Sequence, residues 1–115
     1  MAQNYDGNVC YRVIVSENVT LCNGGEYFVK GMIIDEENKK KEMNEELLFI
    51  GDKDKMAERN LLITDGIVKS REGYIWVKIY MLEGGNKSIH TGTTLGYAEN
   101  FKYMMIKKIE EQLIK

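Results

Sequence analysis

Residues 61–98 read LLITDGIVKSREGYIWVKIYMLEGGNKSIHTGTTLGYA. The stretch divides into a strand, a turn, a long strand, a turn, a strand, a turn and a strand. Over residues 74–81 the apolar side chains alternate. Ile75, Val77, Ile79 and Met81 fall on one face, and Tyr74, Trp76, Lys78 and Tyr80 on the other. Glycines at Gly66, Gly73, Gly84, Gly85, Gly92 and Gly96 punctuate the units. This grammar predicts a mainly β fold, a small antiparallel β-barrel or sandwich.

The upstream chain continues the pattern. Residues 10–15 (CYRVIV) and 19–22 (VTLC) are short strands joined by a turn at Ser16-Glu17-Asn18. Asn23-Gly24-Gly25 is a strong turn signal, because Asn and Gly tolerate positive φ. Residues 26–34 (EYFVKGMII) form a long strand with two apolar faces, as expected for a central strand or a subunit contact. Residues 35–45 (DEENKKKEMNE) hold eight charges and one apolar side chain, Met43, and are expected to be a mobile loop. Residues 46–50 form a strand, and 51–60 hold one helical turn around Met56 and Ala57. Residues 99–115 are predicted as an amphipathic helix, with Phe101, Met105, Ile109 and Leu113 on one stripe and Asn100 as cap. The organisation expected is a flexible N-terminus (1–9), a β-barrel domain (10–98) and a C-terminal helix (99–115). Proline is absent, so turns rest on Gly, Asn and Asp.

The chain has 115 residues, enough for one domain, and 43% hydrophobic residues suffice for a core. Its formal net charge is -2. The densest basic run, Lys39-Lys40-Lys41, is surrounded by Glu36, Glu37, Glu42, Glu45 and Glu46. Nucleic acid is therefore not the partner expected from overall charge. The opening residues MAQNYDGNVC lack a basic region followed by an apolar run, and no stretch reaches the ~18 apolar residues of a membrane span. An intracellular, cytoplasmic protein without membrane attachment is expected. The sequons at Asn18 and Asn86 carry little weight without a secretory signal. Cys10 and Cys22 are expected as reduced, buried thiols.

Known catalytic patterns are poorly matched. His90 is the only histidine, which leaves a Ser–His–Asp arrangement one candidate base, and no Gly-x-Ser-x-Gly elbow accompanies it. Two cysteines and one histidine do not complete a zinc set. Gly24-Gly25 and Gly84-Gly85 read as hairpin turns, not as phosphate cradles opening a helix. The acidic run 51–54 lacks the ligand spacing of a calcium loop, and Thr64-Asp65-Gly66 reverses the aspartic-protease triplet. No catalytic, cofactor-binding or metal-binding residue is assigned. The candidate interaction residues are Phe101, Met105, Ile109 and Leu113 on the helix, and Tyr74, Trp76 and Tyr80 on the long strand. These three aromatics can stack on bases as a single-strand platform does. Packing under the C-terminal helix or against a second subunit is the preferred use.

The order of elements resembles a deoxyuridine triphosphatase-like β-barrel, in the degenerate form found after the protease in gypsy-type LTR retrotransposon polyproteins. The residues that carry the resemblance are the opening 11–34, Asp65-Gly66-Ile67-Val68, Gly73-Tyr74-Ile75-Trp76-Val77-Lys78-Ile79, and Ile89-His90-Thr91-Gly92-Thr93-Thr94-Leu95-Gly96. It covers roughly residues 10–98. The enzymes of that family carry an element of the type G-V-I-D-S-x-Y-x-G, whose Asp orients the attacking water. Here the matching stretch is Gly66-Ile67-Val68-Lys69-Ser70-Arg71-Glu72-Gly73-Tyr74, with Lys69 at the Asp position and the Tyr displaced. The family's phosphate-binding Arg-Ser-Ser element is missing. The resemblance thus implies the fold and a retroelement origin, and argues against the activity. The function expected is a non-catalytic module acting through protein contacts or self-assembly, with a protein partner or a second copy. The alternatives are a nucleotide-binding protein or deoxynucleoside triphosphate hydrolase with a divergent site, and a single-stranded nucleic-acid binder.

Overall fold

The two ends of residues 61–69 pair with opposite edges of one sheet, and this decides the architecture. A computed structural model of the chain describes residues 4–5, 8–100 and 109–113. Among these, β1 (Asn4–Tyr5), β2 (Asn8–Val15), β3 (Val19–Cys22), β4 (Gly25–Ile34) and β5 (Glu46–Gly51) precede α1 (Lys53–Ala57). They are followed by β6 (Leu61–Ile63), β7 (Gly66–Lys69), β8 (Tyr74–Met81), β9 (Asn86–Ile89) and β10 (Thr94–Asn100). The main sheet runs β6-β8-β4-β2-β10-β5-β7, with β1 added against β2, and β3-β9 form a second small sheet. All pairings are antiparallel. β6 pairs with β8 at one edge and β7 with β5 at the other, yet only Thr64 and Asp65 separate them. A link that short spans no more than ~10 Å, so the two edges must meet and the sheet must curl into a barrel-like shell.

The core lies inside the curl. The alternation expected over residues 74–81 is observed: Ile75, Val77, Ile79 and Met81 are buried. Val13 and Val15 of β2, Val29 and Ile33 of β4, and Leu47 and Phe49 of β5 join them. β10 departs from simple alternation. Its register against β2 slips between Thr94 and Gly96, and the extra residue, Leu95, turns inward and is fully buried. One residue later Gly96 lies opposite Gly51 on β5. A side chain at Gly96 would overlap the Ile50 carbonyl oxygen, so two strands approach there as only glycine allows. The single helical turn expected near Met56 is α1, capped by Asp52 and anchored by the buried Met56.

Two expectations are corrected by the fold, the start of the C-terminal helix and the burial of the cysteines. Residues 35–45, expected to bury almost nothing, hold no fully buried side chain, yet backbone bonds tie the loop to its neighbours. Asp35 closes a turn with Asn38 and Lys39, the Lys41 N–H donates to the Ile33 carbonyl at 2.8 Å, and the Gly73 N–H donates to Met43 at 3.1 Å. Met43 packs on the core. These bonds are made by backbone groups, which side-chain polarity does not reveal. Two residues of the N-terminal segment, Asn4–Tyr5, form β1 against β2. The helix expected from residue 99 cannot start there, because Glu99 and Asn100 are paired in β10. Asn100 is no cap; its amide donates to the Glu45 carboxylate at 3.3 Å. Residues 109–113 are helical. Finally, Cys10 is half-buried and Cys22 exposed, both as free thiols. No helix among the described residues is long and apolar enough to cross a membrane.

Candidate binding face

β8 and β4 pair in register over eight residues, and this sets the outer face of the sheet. Phe28 lies opposite Lys78, Lys30 opposite Trp76, and Met32 opposite Tyr74. Neighbours on one strand face are two residues, or ~6.7 Å, apart. Phe28 is therefore diagonal to Trp76, within reach of an aromatic side chain. Phe28 is 60% exposed and Trp76 59% exposed. With Ile67, 48% exposed and beside them at the seam, they form a contiguous apolar patch of the kind that marks interaction sites.

Cations are interleaved with the rings. The Lys30 ammonium lies 4.3 Å from the centre of the Tyr74 ring, and that of Lys40 lies 4.6 Å from it. Both distances are within cation–π range. Lys40 is also bound to Glu42 at 2.9 Å, and this pairing is the first cause that raises its pKa above the ordinary lysine value. Lys78 lies 5.6 Å from the Phe28 ring and 3.8 Å from the Glu26 carboxylate. Lys69 and Arg71 come from the far side of the seam between β7 and β8. They join Lys30, Glu72, Tyr74 and Trp76 around a depression of about 500 Å3. A second depression, about 250 Å3, opens along the seam, where Phe28, Ile67 and Trp76 meet. Trp76 lines both.

The turn that delivers Arg71 is rigidly built. Ser70 is fully buried. Its Oγ accepts from the Glu45 N–H at 2.8 Å and donates to the Glu45 carbonyl at 2.9 Å. Arg71 and Tyr74 exchange backbone bonds at 2.9 Å each. Gly73 at φ +88° completes the turn against the Lys41 carbonyl. Arg71 and the two ring residues of β8 are thereby held on one frame.

Of the residues singled out from sequence, Tyr74 and Trp76 meet in this face. Tyr80 lies further along β8, opposite Leu62 of β6. Ile109 and Leu113 are on the C-terminal helical turn and are exposed at 53% and 79%. Phe101 and Met105 lie outside the described residues. His90 is exposed in a turn, its carbonyl accepting from the Thr93 N–H. Lys69 is exposed on β7, opposite Glu46. Asp65, the corner carboxylate, has its pKa lowered first by Lys53 at 2.7 Å and then by the Gly51 N–H at 2.9 Å, a structural arrangement at the sheet corner. No group of three His, Cys, Asp or Glu among the described residues is placed to hold a metal ion. Phe28, Lys30 and Arg71 were missed from sequence. The two apolar faces of residues 26–34 were a signal for Phe28, but its alignment with β8 was not visible.

No family model, curated protein or solved structure matches the chain.

Proposed function

We propose that the chain is a non-catalytic β module of retroelement origin, of the deoxyuridine triphosphatase-like kind, that works through surface contacts rather than turnover. One observation carries this: Phe28 and Trp76 stand diagonal to each other on one sheet face, each about 60% exposed. The motif order quoted above supports the origin. Lys69 at the position of the family's Asp supports the loss of chemistry, because it replaces the carboxylate that orients the attacking water. The neighbouring Ser70 is committed to the backbone of Glu45.

Protein contact and self-assembly are assigned to the C-terminal segment, where Ile109 and Leu113 are exposed. A two-fold contact through the sheet face would bring two copies of the Lys30, Lys69 and Arg71 cluster into one interface, which disfavours that face for self-pairing.

Two measurements test the reading. Incubation with deoxynucleoside triphosphates and magnesium should give no turnover, and Lys69→Asp should not create any. Sedimentation should show a mass above one chain that falls when Ile109 and Leu113 are changed to Ser. Turnover by the unmodified chain would overturn the reading; a monomer that Ile109→Ser/Leu113→Ser leaves unchanged would remove the self-assembly part.

A further inference from the structure

We propose that the outer face of β4 and β8, beside the β7 seam, binds single-stranded nucleic acid, with Trp76 and Phe28 stacking on bases and Lys30, Lys69 and Arg71 holding backbone phosphates. This rests on the contact-module reading and names the ligand class of its sheet face.

Three observations converge. First, the two open rings are on adjacent strands of one face, diagonal to each other. Aromatic side chains on a sheet stack with any unpaired base, because every base has a π-face, whereas a duplex keeps its base faces covered. Second, the cations beside them are uncommitted. Lys30, Lys69 and Arg71 take part in none of the ion pairs among the described residues. Lys30 is steered over the Tyr74 ring, a contact that leaves its charge unneutralised. Lys40 is set aside because Glu42 already neutralises it. Third, these cations and Trp76 share one depression of about 500 Å3, a volume in the range of small-ligand sites.

The overall charge of -2 does not describe this surface. Much of the acid lies in residues 35–46, which hold Asp35, Glu36, Glu37, Glu42, Glu45 and Glu46. On the face itself, Glu72 lines the depression and Glu26 pairs with Lys78. Three cations against Glu72, and Glu46 opposite Lys69, leave a net positive patch. A phosphate chain fits that charge, and its bases fit the rings. An acidic polypeptide would match the charge but offers no stacked series of flat rings.

The test uses the full chain with fluorescein-labelled oligo(dT) and oligo(rU) of about 15 nucleotides. Labelled polyglutamate is the second probe. Anisotropy reports binding, and the fluorescence of Trp76, the sole tryptophan, reports stacking. Binding should quench Trp76. The slope of log affinity against log salt should be about -2, from three phosphate contacts at ~0.7 each. Trp76→Ala should weaken binding about tenfold or more. Lys69→Glu/Arg71→Glu should weaken it and flatten the salt slope, with an unchanged circular dichroism spectrum showing that the fold persists.

Absence of oligonucleotide binding at low salt would overturn the proposal, as would binding that both variants leave intact. Equal or tighter binding of polyglutamate would assign the face to acidic protein segments and overturn it, while the contact-module reading stands. Hydrolysis of the nucleotides would instead overturn the contact-module reading itself.

Discussion

Gly96→Ala is the sharpest probe of the close approach of β5 and β10 within the main sheet. A Cβ at this position would overlap the Ile50 carbonyl oxygen and come within 2.8 Å of both the Gly51 Cα and the Phe49 Cζ. Relaxed carbon–carbon contacts are ~3.5–4.0 Å, so β5 and β10 must part by about 1 Å. Two of the three obstacles are backbone atoms, which cannot rotate away. Parting the strands strains the ladder from Gly96↔Gly51 to Asn100↔Leu47, and the adjacent 2.9 Å bond from the Asp52 N–H to the Leu95 carbonyl. Overpacking costs ~1–3 kcal/mol, and a weakened hydrogen bond adds ~1 kcal/mol. A loss of ~3 kcal/mol is expected, a large fraction of the ~5–15 kcal/mol that holds a domain together. With an unfolding entropy of ~0.24 kcal/mol/K for a chain of this length, the melting temperature should fall by about 12 °C. Urea titration and thermal circular dichroism measure both. The matched control is Gly66→Ala on β7, where an added Cβ meets nothing within 4 Å; it should stay within ~0.5 kcal/mol of the parent. A loss below ~1 kcal/mol for Gly96→Ala would show that β5 and β10 are not in this register.

Three further outcomes are expected. Ser70→Ala should cost ~1–3 kcal/mol in urea titration, because it strips the partner from the part-buried Glu45 N–H. Asp65→Asn should cost under ~1 kcal/mol at neutral pH, since both members of the Lys53 pair are more than one-third exposed. The folded Asp65 carboxyl titrates below its unfolded value, so its contribution is full above the ordinary carboxylate range and is lost as pH falls through the lowered pKa. A pH series of melting temperatures should therefore show parent and Asp65→Asn converging in acid. Replacing residues 36–44 with a Gly/Ser linker should lower stability by ~2 kcal/mol, through loss of Met43 packing and the Lys41–Ile33 bond. An unchanged midpoint would mean that the loop's backbone bonds contribute nothing net.

Much of the strand map was legible in the sequence because burial in a half-wet sheet repeats every second residue. Residues 74–81 show this without exception: the four alternating apolar side chains are the four that are buried. Turns marked by Asn23-Gly24 and Gly73 were equally local, since positive φ is a property of the residue itself. The lack of a nucleophile elbow and the lysine at position 69 are also sequence facts. Tertiary structure decided everything that depends on partners distant in the chain. The inward turn of Leu95 comes from a bulge against β2, and the opposition of Gly96 and Gly51 from strand order. Docking of residues 35–45 rests on backbone bonds to β4 and the 70–73 turn, which composition does not encode locally. The candidate face is the clearest case. Tyr74 and Trp76 were visible from alternation, but Phe28 and Lys30 reach them only through the β4–β8 register, Arg71 through its backbone-bonded turn with Tyr74, and Lys69 where β7 comes up to β8. Alternation specifies which way a side chain points; its neighbours across strands are set by register and curvature, which the whole shell determines together.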